Sequence, residues 1–241
     1  MRAIILTGGE GTRLRPYTSI LPKPLMPIDN IPILEVVLRQ LNYYGINHVT
    51  LSVGYLARLI QTYFGDGDNL GIKIDYSKEK EPLGTAGPLS LIKDIKESAV
   101  LVMNGDILTD INYEELLLHH EKVNSDMTVA TIKRDVPVNL GVIEVNNENM
   151  ITNWKEKPRF NYIASTGIYV INTKIIECFI GPHKMDIPEL IQMLISGNYK
   201  VSSFELIGSW LDIGREDDYK LAIESFSKNP TQYIPETTYI S

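Results

Sequence analysis

The sequence has one cysteine among its 241 residues, and its four histidines lack the spacing of a zinc site. A single cysteine excludes an internal disulfide, and it excludes a cage of cysteines around a metal. Cys178 lies in the apolar run at residues 175–180. We therefore expect a buried structural thiol at this position rather than a nucleophile.

Long hydrophobic runs are also missing from the sequence. No apolar run reaches the ~20 residues that a helix needs to cross a bilayer. The apolar segment at residues 3–6 is interrupted by Gly8 and Gly9 before it could act as a signal sequence. The sequence therefore predicts a cytoplasmic protein that does not contact a membrane.

An excess of positive charge is missing as well, since the formal net charge is −7. Binding to a nucleic-acid backbone depends mainly on Lys and Arg, so this charge argues against a nucleic-acid partner. Residues 1–23 are a local exception, because they carry four basic residues against one acidic residue, Glu10. A basic segment that is also rich in glycine is suited to binding a small anion.

The patterns along the first 110 residues alternate between strand and helix. Alternation of this kind predicts an α/β protein with a Rossmann-like parallel sheet and helices on both faces. The predicted strands are at 2–7, 48–53, 72–76 and 99–103, and the predicted helices are at 33–44, 57–64 and 88–95.

After Asp110 the pattern becomes richer in strands. The predicted elements are a helix at 113–123, strands at 127–133, 141–145 and 164–171, and helices at 187–195 and 216–226. No linker or repeat separates the two parts, so we expect a single domain over residues 1–241 with one shared sheet. Its parts are a first half at 1–110, a second half at 111–228 and a C-terminal tail at 229–241.

The strongest local pattern is LTGGEGTRLRP at residues 6–16, followed by PKP at 22–24. Glycines directly after a strand let backbone N–H groups approach a phosphate chain, and Arg13 and Lys23 add positive charge. The segment is not a P-loop, and it is not the dinucleotide fingerprint because Leu14 occupies the position of the last glycine. A tight turn between a strand and a helix is the alternative explanation of the glycines.

Two aspartates, Asp106 and Asp212, each follow an apolar stretch. An aspartate at the end of a strand is either a turn residue or a ligand for a hard cation. Ligands of open parallel sheets bind beyond the carboxyl ends of the strands, where both the Gly8 loop and the turn at 104–106 are expected. Two carboxylates are sufficient for Mg²⁺, which completes its coordination with water and phosphate oxygens.

These segments resemble those of the sugar-1-phosphate nucleotidylyltransferases. The opening GGEGTRLRP with its downstream PKP is similar to the signature loop of that family. Five further motifs follow in the order of the family: EPLGTAG at 81–87, NGD at 104–106, EKP at 156–158, STGIY at 165–169 and WLDIG at 210–214. The resemblance covers residues 1 to about 226, and it implies a mixed, mostly parallel sheet of the nucleotidyltransferase fold.

The resemblance also implies roles for individual residues. The first half would bind the NTP and the second half the sugar phosphate, with Mg²⁺ as cofactor. The implied catalytic residues are Arg13, Lys23, Asp106 and Lys157, and the implied metal ligands are Asp106 and Asp212. The implied nucleotide-binding residues are Leu6, Gly8, Gly9, Gly11, Thr12, Arg13, Gly84, Thr85 and Gly105. The implied sugar-phosphate-binding residues are Gly141, Glu156, Lys157 and Gly167.

Some of these segments also have ordinary structural explanations. From the residues alone, 83–87 is a capped turn between a strand and a helix, and 155–159 is a solvated charged loop. The sequence also departs from the family at Thr166, where the family often carries Asn.

The expected reaction joins the nucleoside monophosphate of an NTP to a sugar 1-phosphate and releases pyrophosphate. The motifs are most similar to those of guanylyltransferases, so we expect GTP with a mannose-type or heptose-type 1-phosphate. The alternatives are a uridylyl- or thymidylyltransferase for glucose-type 1-phosphates and a non-catalytic nucleotide sensor. A homo-oligomer is possible.

Overall fold

The computed structural model describes residues 1–235, so the end of the predicted C-terminal tail, residues 236–241, lies outside the described residues. The strands are β1 (Arg2–Leu6), β2 (Pro27–Ile28), β3 (Ile31–Pro32), β4 (His48–Val53), β5 (Lys73–Lys78), β6 (Ala99–Asn104), β7 (Ile107–Thr109), β8 (Met127–Pro137), β9 (Val142–Val145), β10 (Ile151–Lys155), β11 (Arg159–Asn172), β12 (Val201–Glu205) and β13 (Trp210–Asp212). The helices are α1 (Ile33–Tyr43), α2 (Ala57–Phe64), α3 (Tyr113–Lys122), α4 (Thr173–Phe179), α5 (Ile187–Ser196), α6 (Glu216–Lys228) and α7 (Pro230–Tyr233).

Seven strands form the central sheet in the order β12-β8-β11-β6-β1-β4-β5. Strand β1 is parallel to β4 and β6, β4 is parallel to β5, and β8 is parallel to β12. Strand β11 is antiparallel to both of its neighbours, β6 and β8. The sheet is therefore mixed and mostly parallel, as expected, and it contains strands from both halves of the chain.

Helices cover both faces of this sheet. Successive side chains of a strand point to opposite faces, so Ile5 packs in a cluster with α1, α2 and α3. Its neighbour Ile4 packs in a second cluster with α4 and α5. Within the described residues, each helix is too short or too polar to cross a membrane.

A third apolar cluster joins the C-terminal helices to the N-terminal loop. Phe226 of α6 and Tyr233 of α7 stack with their ring centroids 6.0 Å apart, and they pack with Leu14 and Ile213. These four side chains are at most 2% exposed. The described part of the predicted tail is therefore packed against the segments that carry Arg13 and Asp212.

Two predictions from the sequence are wrong. The helix predicted at 88–95 is a 3₁₀ turn at Gly87–Leu91, and Ile92 is already extended. Pro88 cannot donate the hydrogen bond of a helix interior, and Asp94 has a left-handed backbone with φ 56°. Cys178 is exposed, because α4 turns its isoleucines toward the core and Cys178 toward solvent.

Candidate active site

The glycine-rich loop leaves β1 and is pinned near both of its ends. The Thr7 backbone N–H and hydroxyl both donate to the Ser52 carbonyl oxygen, at 2.9 and 2.7 Å. The Thr18 hydroxyl donates to the Gly11 carbonyl oxygen at 2.8 Å. Gly11 has φ 61°, a left-handed backbone that favours glycine, and a 3₁₀ turn carrying Arg13 follows it.

The turn at 104–106 lies beside this loop because β1 and β6 are parallel neighbours. The Gly105 N–H donates to the Leu6 carbonyl oxygen at 3.0 Å. A Cβ at Gly105 would lie 2.7 Å from the Thr7 Cγ2 atom, so the two segments approach as closely as glycine allows. The sequence correctly predicts that both loops meet at the carboxyl ends of the strands.

A small second sheet brings Asp212 to the same place. Strand β7 follows Asp106 and pairs antiparallel with β13, which ends at Asp212. The Ile213 N–H then donates to the Asp106 carbonyl oxygen at 3.1 Å. Two aspartates more than 100 positions apart in the chain are thus held side by side.

A lysine lies between these carboxylates. The Lys23 ammonium forms an ion pair with Asp106 Oδ2 and lies 3.7 Å from Asp212 Oδ1. The Lys23 and Asp106 side chains are only 11% and 18% exposed. Burial raises the pKa of the Asp106 carboxyl, Lys23 opposes this shift, and the charge of Asp212 adds to it.

The residues present fit a hard divalent cation. Asp106 Oδ1 is buried and has no hydrogen-bond partner within the described residues. A buried carboxylate oxygen without a partner is costly, and a cation would satisfy it. In residues 1–235 no cluster of three or more acidic, cysteine or histidine side chains could hold a metal. Two carboxylates with water and phosphate oxygens are the donor set typical of Mg²⁺.

Arg13 reaches the same group of residues from the loop. A Cβ at Gly214 would lie 3.5 Å from the Arg13 Nη2 atom and 3.3 Å from Asp212 Oδ2. The Arg13 side chain is exposed, and it has no ion-pair partner in the described part of the chain. Its guanidinium is therefore available to an anion bound next to Asp212.

Two adjoining clefts of about 320 and 270 Å³ open at this edge of the sheet. Asp106, with Leu6 and Gly9, lines both of them and so marks their junction. The first cleft is also lined by Gly8, Glu79, Gly84, Thr85 and Asn104, and the second by Gly11, Thr12, Arg13 and Lys23. Gly105 does not line either cleft. It lies in the turn at 104–106, where it allows the close approach to Thr7.

The loop at 83–87 is held rigidly at the far wall of the first cleft. Gly84 has φ 78°, and a Cβ there would lie 2.5 Å from the Met185 carbonyl oxygen. The Thr85 N–H and hydroxyl donate to Asp186 Oδ1 at 2.9 and 3.2 Å. The Thr85 hydroxyl also accepts from the Ile187 N–H at 2.8 Å. Because this loop is docked on the start of α5, its backbone forms a fixed wall.

Glu79 is a candidate site residue that the sequence analysis missed. Its Oε2 accepts from the Leu83 N–H at 3.0 Å. Its Oε1 lies against Gly8 and Gly54, since a Cβ built at either glycine would contact it. The run Lys-Glu-Lys-Glu at 78–81 is typical of a solvated surface. Only the position of Glu79 two residues before the EPLGTAG motif could have indicated that it has a role in the site.

Of the predicted sugar-phosphate residues, Gly167 lies beside Asn104, which lines the first cleft, but Gly167 itself lines neither of the two clefts. It has φ 75° at an irregularity of β11. A Cβ there would lie 2.8 Å from the Asn104 Nδ2 atom. The neighbouring Thr166 hydroxyl donates to the Ala130 carbonyl oxygen at 2.8 Å, so it is used inside the protein.

The other three predicted sugar-phosphate residues flank the exposed hairpin formed by β9 and β10, with Gly141 just before β9 and with Glu156 and Lys157 just after β10. Gly141 packs against the Trp154 ring, and the Trp154 indole N–H donates to Glu156 Oε2 at 3.2 Å. Lys157 lies in the turn before β11 with φ 43°. Within residues 1–235, no hydrogen bond or ion pair joins Glu156 or Lys157 to the Asp106 cluster.

Comparison with known proteins agrees with this geometry. The family model described as nucleotidyl transferase matches residues 2–229. The chain is 33% identical over 248 residues to the mannose-1-phosphate guanylyltransferase catalytic subunit beta of Xenopus tropicalis, covering 100% of this chain and 68% of that protein.

Solved structures share the fold. The crystal structure of HddC from Yersinia pseudotuberculosis complexed with GMP-PN has a TM-score of 0.74 and 26% identity, covering 93% of this chain and 99% of that one. A putative glucose-1-phosphate thymidylyltransferase from Bacillus anthracis has a TM-score of 0.75 at 22% identity, covering 93% and 95%. With its glycine-rich loop and paired aspartates at one edge of a mixed sheet, the chain belongs to the nucleotidyl transferase family.

Proposed function

We propose that this enzyme transfers the guanylyl group of GTP to a mannose-type sugar 1-phosphate and releases pyrophosphate. The observation that carries the proposal is the meeting of Lys23 and Asp106 with the glycine-rich loop at the junction of two clefts, with Asp212 Oδ1 3.7 Å from the Lys23 ammonium. Curated relatives named as mannose-1-phosphate guanylyltransferases, at 32–34% identity, support the choice of substrates. We propose a cytoplasmic location for the enzyme, as its sequence predicts.

The proposed chemistry is an in-line displacement at the α-phosphorus. A phosphate oxygen of the sugar 1-phosphate forms a bond to this phosphorus, and the bond to the pyrophosphate oxygen breaks. The attacking oxygen is already an anion, so the enzyme needs no general base. The work of the protein is to place two anions together and to balance their charge.

Three basic side chains each offset the negative charge of one phosphate group of the substrates. Lys23, which is buried between the aspartates, faces the α-phosphate. Arg13, which is exposed beside Gly214, faces the departing pyrophosphate. Lys157 faces the incoming phosphate. This role requires the β9–β10 hairpin to lie close to the cleft when the sugar phosphate is bound.

Asp106 and Asp212 would hold Mg²⁺, in line with the buried and unpartnered Oδ1 atom of Asp106. When bound, the ion would neutralise negative charge on the triphosphate. Burial raises the pKa of the Asp106 carboxyl, and the negative charge of Asp212 adds to this shift. Both causes disfavour an uncompensated negative charge on Asp106, so both favour a cation beside it.

Glu79 supports guanine as the base. The Watson–Crick edge of guanine presents two neighbouring donors, the N1–H and the 2-amino group, and a carboxylate accepts from both. Uracil and thymine present one N–H between two carbonyl oxygens, which a carboxylate repels. Glu79 lines the first cleft, and its oxygens keep free acceptor sites beside the bond from Leu83.

A panel of nucleotides and sugar phosphates tests the proposal. GTP, UTP, dTTP and ATP are each paired with mannose, heptose and glucose 1-phosphate, and pyrophosphate release is measured with Mg²⁺ present. We expect the highest kcat/KM for GTP with mannose 1-phosphate. A preference for UTP or dTTP with glucose 1-phosphate would support the alternative transferase instead. Nucleotide binding without pyrophosphate release from any pair would support the sensor.

A further inference from the structure

One buried hydroxyl in the molecule differs from the others. Ten serine and threonine side chains are buried in the described chain, and nine of them form a hydrogen bond within it. The exception is Ser52, which is 1% exposed and whose hydroxyl has no partner in residues 1–235. A buried hydroxyl without a partner destabilises the fold, and alanine would fill the same space without this cost. The fold alone therefore does not explain a serine at this position.

The backbone of Ser52 serves the fold, whereas its side chain lines a cleft. The Ser52 carbonyl oxygen accepts both of the hydrogen bonds from Thr7 that hold the start of the glycine-rich loop. These bonds use only the backbone of Ser52, so alanine would accept them equally well. The side chain lines the first cleft, which has a volume of about 320 Å³. Its hydroxyl is therefore available to a ligand in that cleft.

The register of the sheet shows which end of the cleft Ser52 occupies. Ser52 on β4 lies beside Leu6 on β1, and Leu6 lies beside Asn104 on β6. Neighbouring strands are about 4.8 Å apart, so two strand spacings place Ser52 about 10 Å from Asn104 and the turn that carries Asp106. Ser52 is thus remote from the position proposed for the α-phosphate.

Ser52 is close to the carboxylate that is proposed to read the base. Gly54 follows Ser52 by two residues, which span at most about 7 Å of extended chain. A Cβ at Gly54 would lie 3.3 Å from Glu79 Oε1. Ser52 and Glu79 both line the first cleft, so a hydroxyl and a carboxylate flank the same end of it. A nucleobase bound at this end would meet both groups.

We propose that the Ser52 hydroxyl donates a hydrogen bond to O6 of guanine. This inference rests on the proposed function and extends the reading of the base by Glu79. The O6 atom of guanine is an acceptor, and it lies directly beside the N1–H and 2-amino donors. A hydroxyl donor next to a carboxylate acceptor complements all three groups. Ser52 is thereby a residue that determines the specificity for the base.

The ribose and the triphosphate are less suitable partners for this hydroxyl. With the base at Glu79 and the α-phosphate at Asp106, the ribose lies between them, near Leu6 and Asn104. The triphosphate follows the glycine-rich loop into the second cleft, which Ser52 does not line. The base is the part of the nucleotide that reaches the Ser52 end of the first cleft.

Nucleotides that differ from GTP in one group of the base test this contact. Inosine triphosphate keeps O6 and lacks the 2-amino group, whereas 6-thio-GTP keeps both donors and replaces O6 with sulfur, a weaker acceptor. In Ser52→Ala, kcat/KM for GTP and for inosine triphosphate should fall by about 2- to 10-fold, the range for one neutral hydrogen bond. The value for 6-thio-GTP should stay nearly the same.

The matched control is Ser77→Ala. Ser77 lies opposite Ser52 in the ladder between β4 and β5, and it does not line the first cleft. The same change on the same face of the sheet should therefore leave kcat/KM near the native value for all three nucleotides. Thermal unfolding of both variants shows whether the fold is kept.

An equal loss with all three nucleotides in Ser52→Ala would overturn the proposal, because the loss would then not depend on O6. An unchanged kcat/KM for GTP would overturn it as well. If GTP binds but releases no pyrophosphate with any sugar phosphate, the proposed function fails. Calorimetric affinities of GTP and 6-thio-GTP for the native chain and for Ser52→Ala then decide separately whether Ser52 contacts O6.

Discussion

Asp106 combines three properties that are rarely found together in one side chain. It is nearly buried, it shares Lys23 with a second aspartate, and its Oδ1 has no partner in the described residues. A buried oxygen without a hydrogen-bond partner destabilises the fold, so its presence calls for a functional explanation. A bound cation would satisfy this oxygen and would offset the negative charge of the two aspartates.

Asp106→Asn should therefore remove turnover while the fold remains. Asparagine keeps the shape but loses the charge, so pyrophosphate release should fall by about 10²- to 10³-fold, the range for losing a central charge-stabilising group. The matched control is Asp29→Asn. Asp29 is exposed and has φ 56°, which asparagine adopts equally well. Near-normal release by the Asp106 variant at saturating Mg²⁺ would show that this carboxylate does not hold the metal.

Glu79 gives a separate prediction about the choice of base. In Glu79→Gln the amide can accept from only one donor of guanine and presents its own N–H₂ to the other. The ratio of kcat/KM for GTP over UTP should drop by roughly tenfold or more, corresponding to ~1–3 kcal/mol for one bidentate contact. Glu81→Gln, at an exposed neighbouring position, should leave this ratio unchanged. An unaltered ratio in the Glu79 variant would mean that the base is read elsewhere.

The turn between β10 and β11 is the element whose role is least fixed by its contacts. Lys157 is exposed there, and it has no hydrogen-bond or ion-pair partner in residues 1–235. If it meets the sugar phosphate, Lys157→Ala leaves two anions approaching each other without compensation. We expect a loss in kcat/KM for the sugar phosphate, while the affinity for GTP measured alone stays nearly the same.

The control for this variant is Lys155→Ala, which removes an exposed ion pair from the same hairpin. Water screens an exposed ion pair, so this change should have little effect. If Lys157→Ala weakened GTP binding and sugar-phosphate use to the same degree, the division into a nucleotide half and a sugar half would be wrong.

Elements were predictable where one local pattern determined them. The strand at 48–53 and the start of α1 follow directly from apolar periodicity and flanking residues. Strands β7 and β13 could not be predicted, because each has three residues and exists only through pairing with the other, about 100 positions away. Asp106 and Asp212 could be singled out from the sequence, but the β7–β13 ladder that unites them could not.

The order of strands in the whole sheet is a further limit of sequence reasoning. Alternation of strands and helices predicts parallel neighbours, yet β11 enters antiparallel between β6 and β8. This insertion depends on contacts between distant segments, and local patterns do not record them. The clefts could be located from the strand ends, whereas Glu79 required the fold of the loop at 83–87.

Stability of the whole molecule should depend on pH through His120. Its Nδ1 lies 2.8 Å from the Thr128 hydroxyl, and its Nε2 lies 3.1 Å from Asn172 Oδ1. Burial lowers the pKa of the His120 imidazole, although the bond to Asn172 and the charges of Glu121 and Asp126 oppose the shift. The folded state thus disfavours a proton that the unfolded chain accepts near pH ~6.5.

Stability should consequently be lost as the pH falls below about 6.5. The free energy of unfolding, measured by denaturant titration between about pH 7 and 5, should decrease for the native chain. His120→Gln should flatten this decrease, while His183→Gln, at an exposed position, should not change it. An equally steep decrease in the His120 variant would mean that other groups cause the pH dependence.

The location of the metal tests the central claim most directly. Crystals grown with a non-hydrolysable GTP analogue and Mn²⁺ in place of Mg²⁺ would locate the ion by its anomalous scattering. We predict an anomalous peak about 2.1 Å from Asp106 Oδ1, with Asp212 as the second protein ligand and the triphosphate along the glycine-rich loop. A peak away from both aspartates, with Lys23 still paired to Asp106 beside the bound nucleotide, would contradict the assignment of this cleft as the catalytic centre.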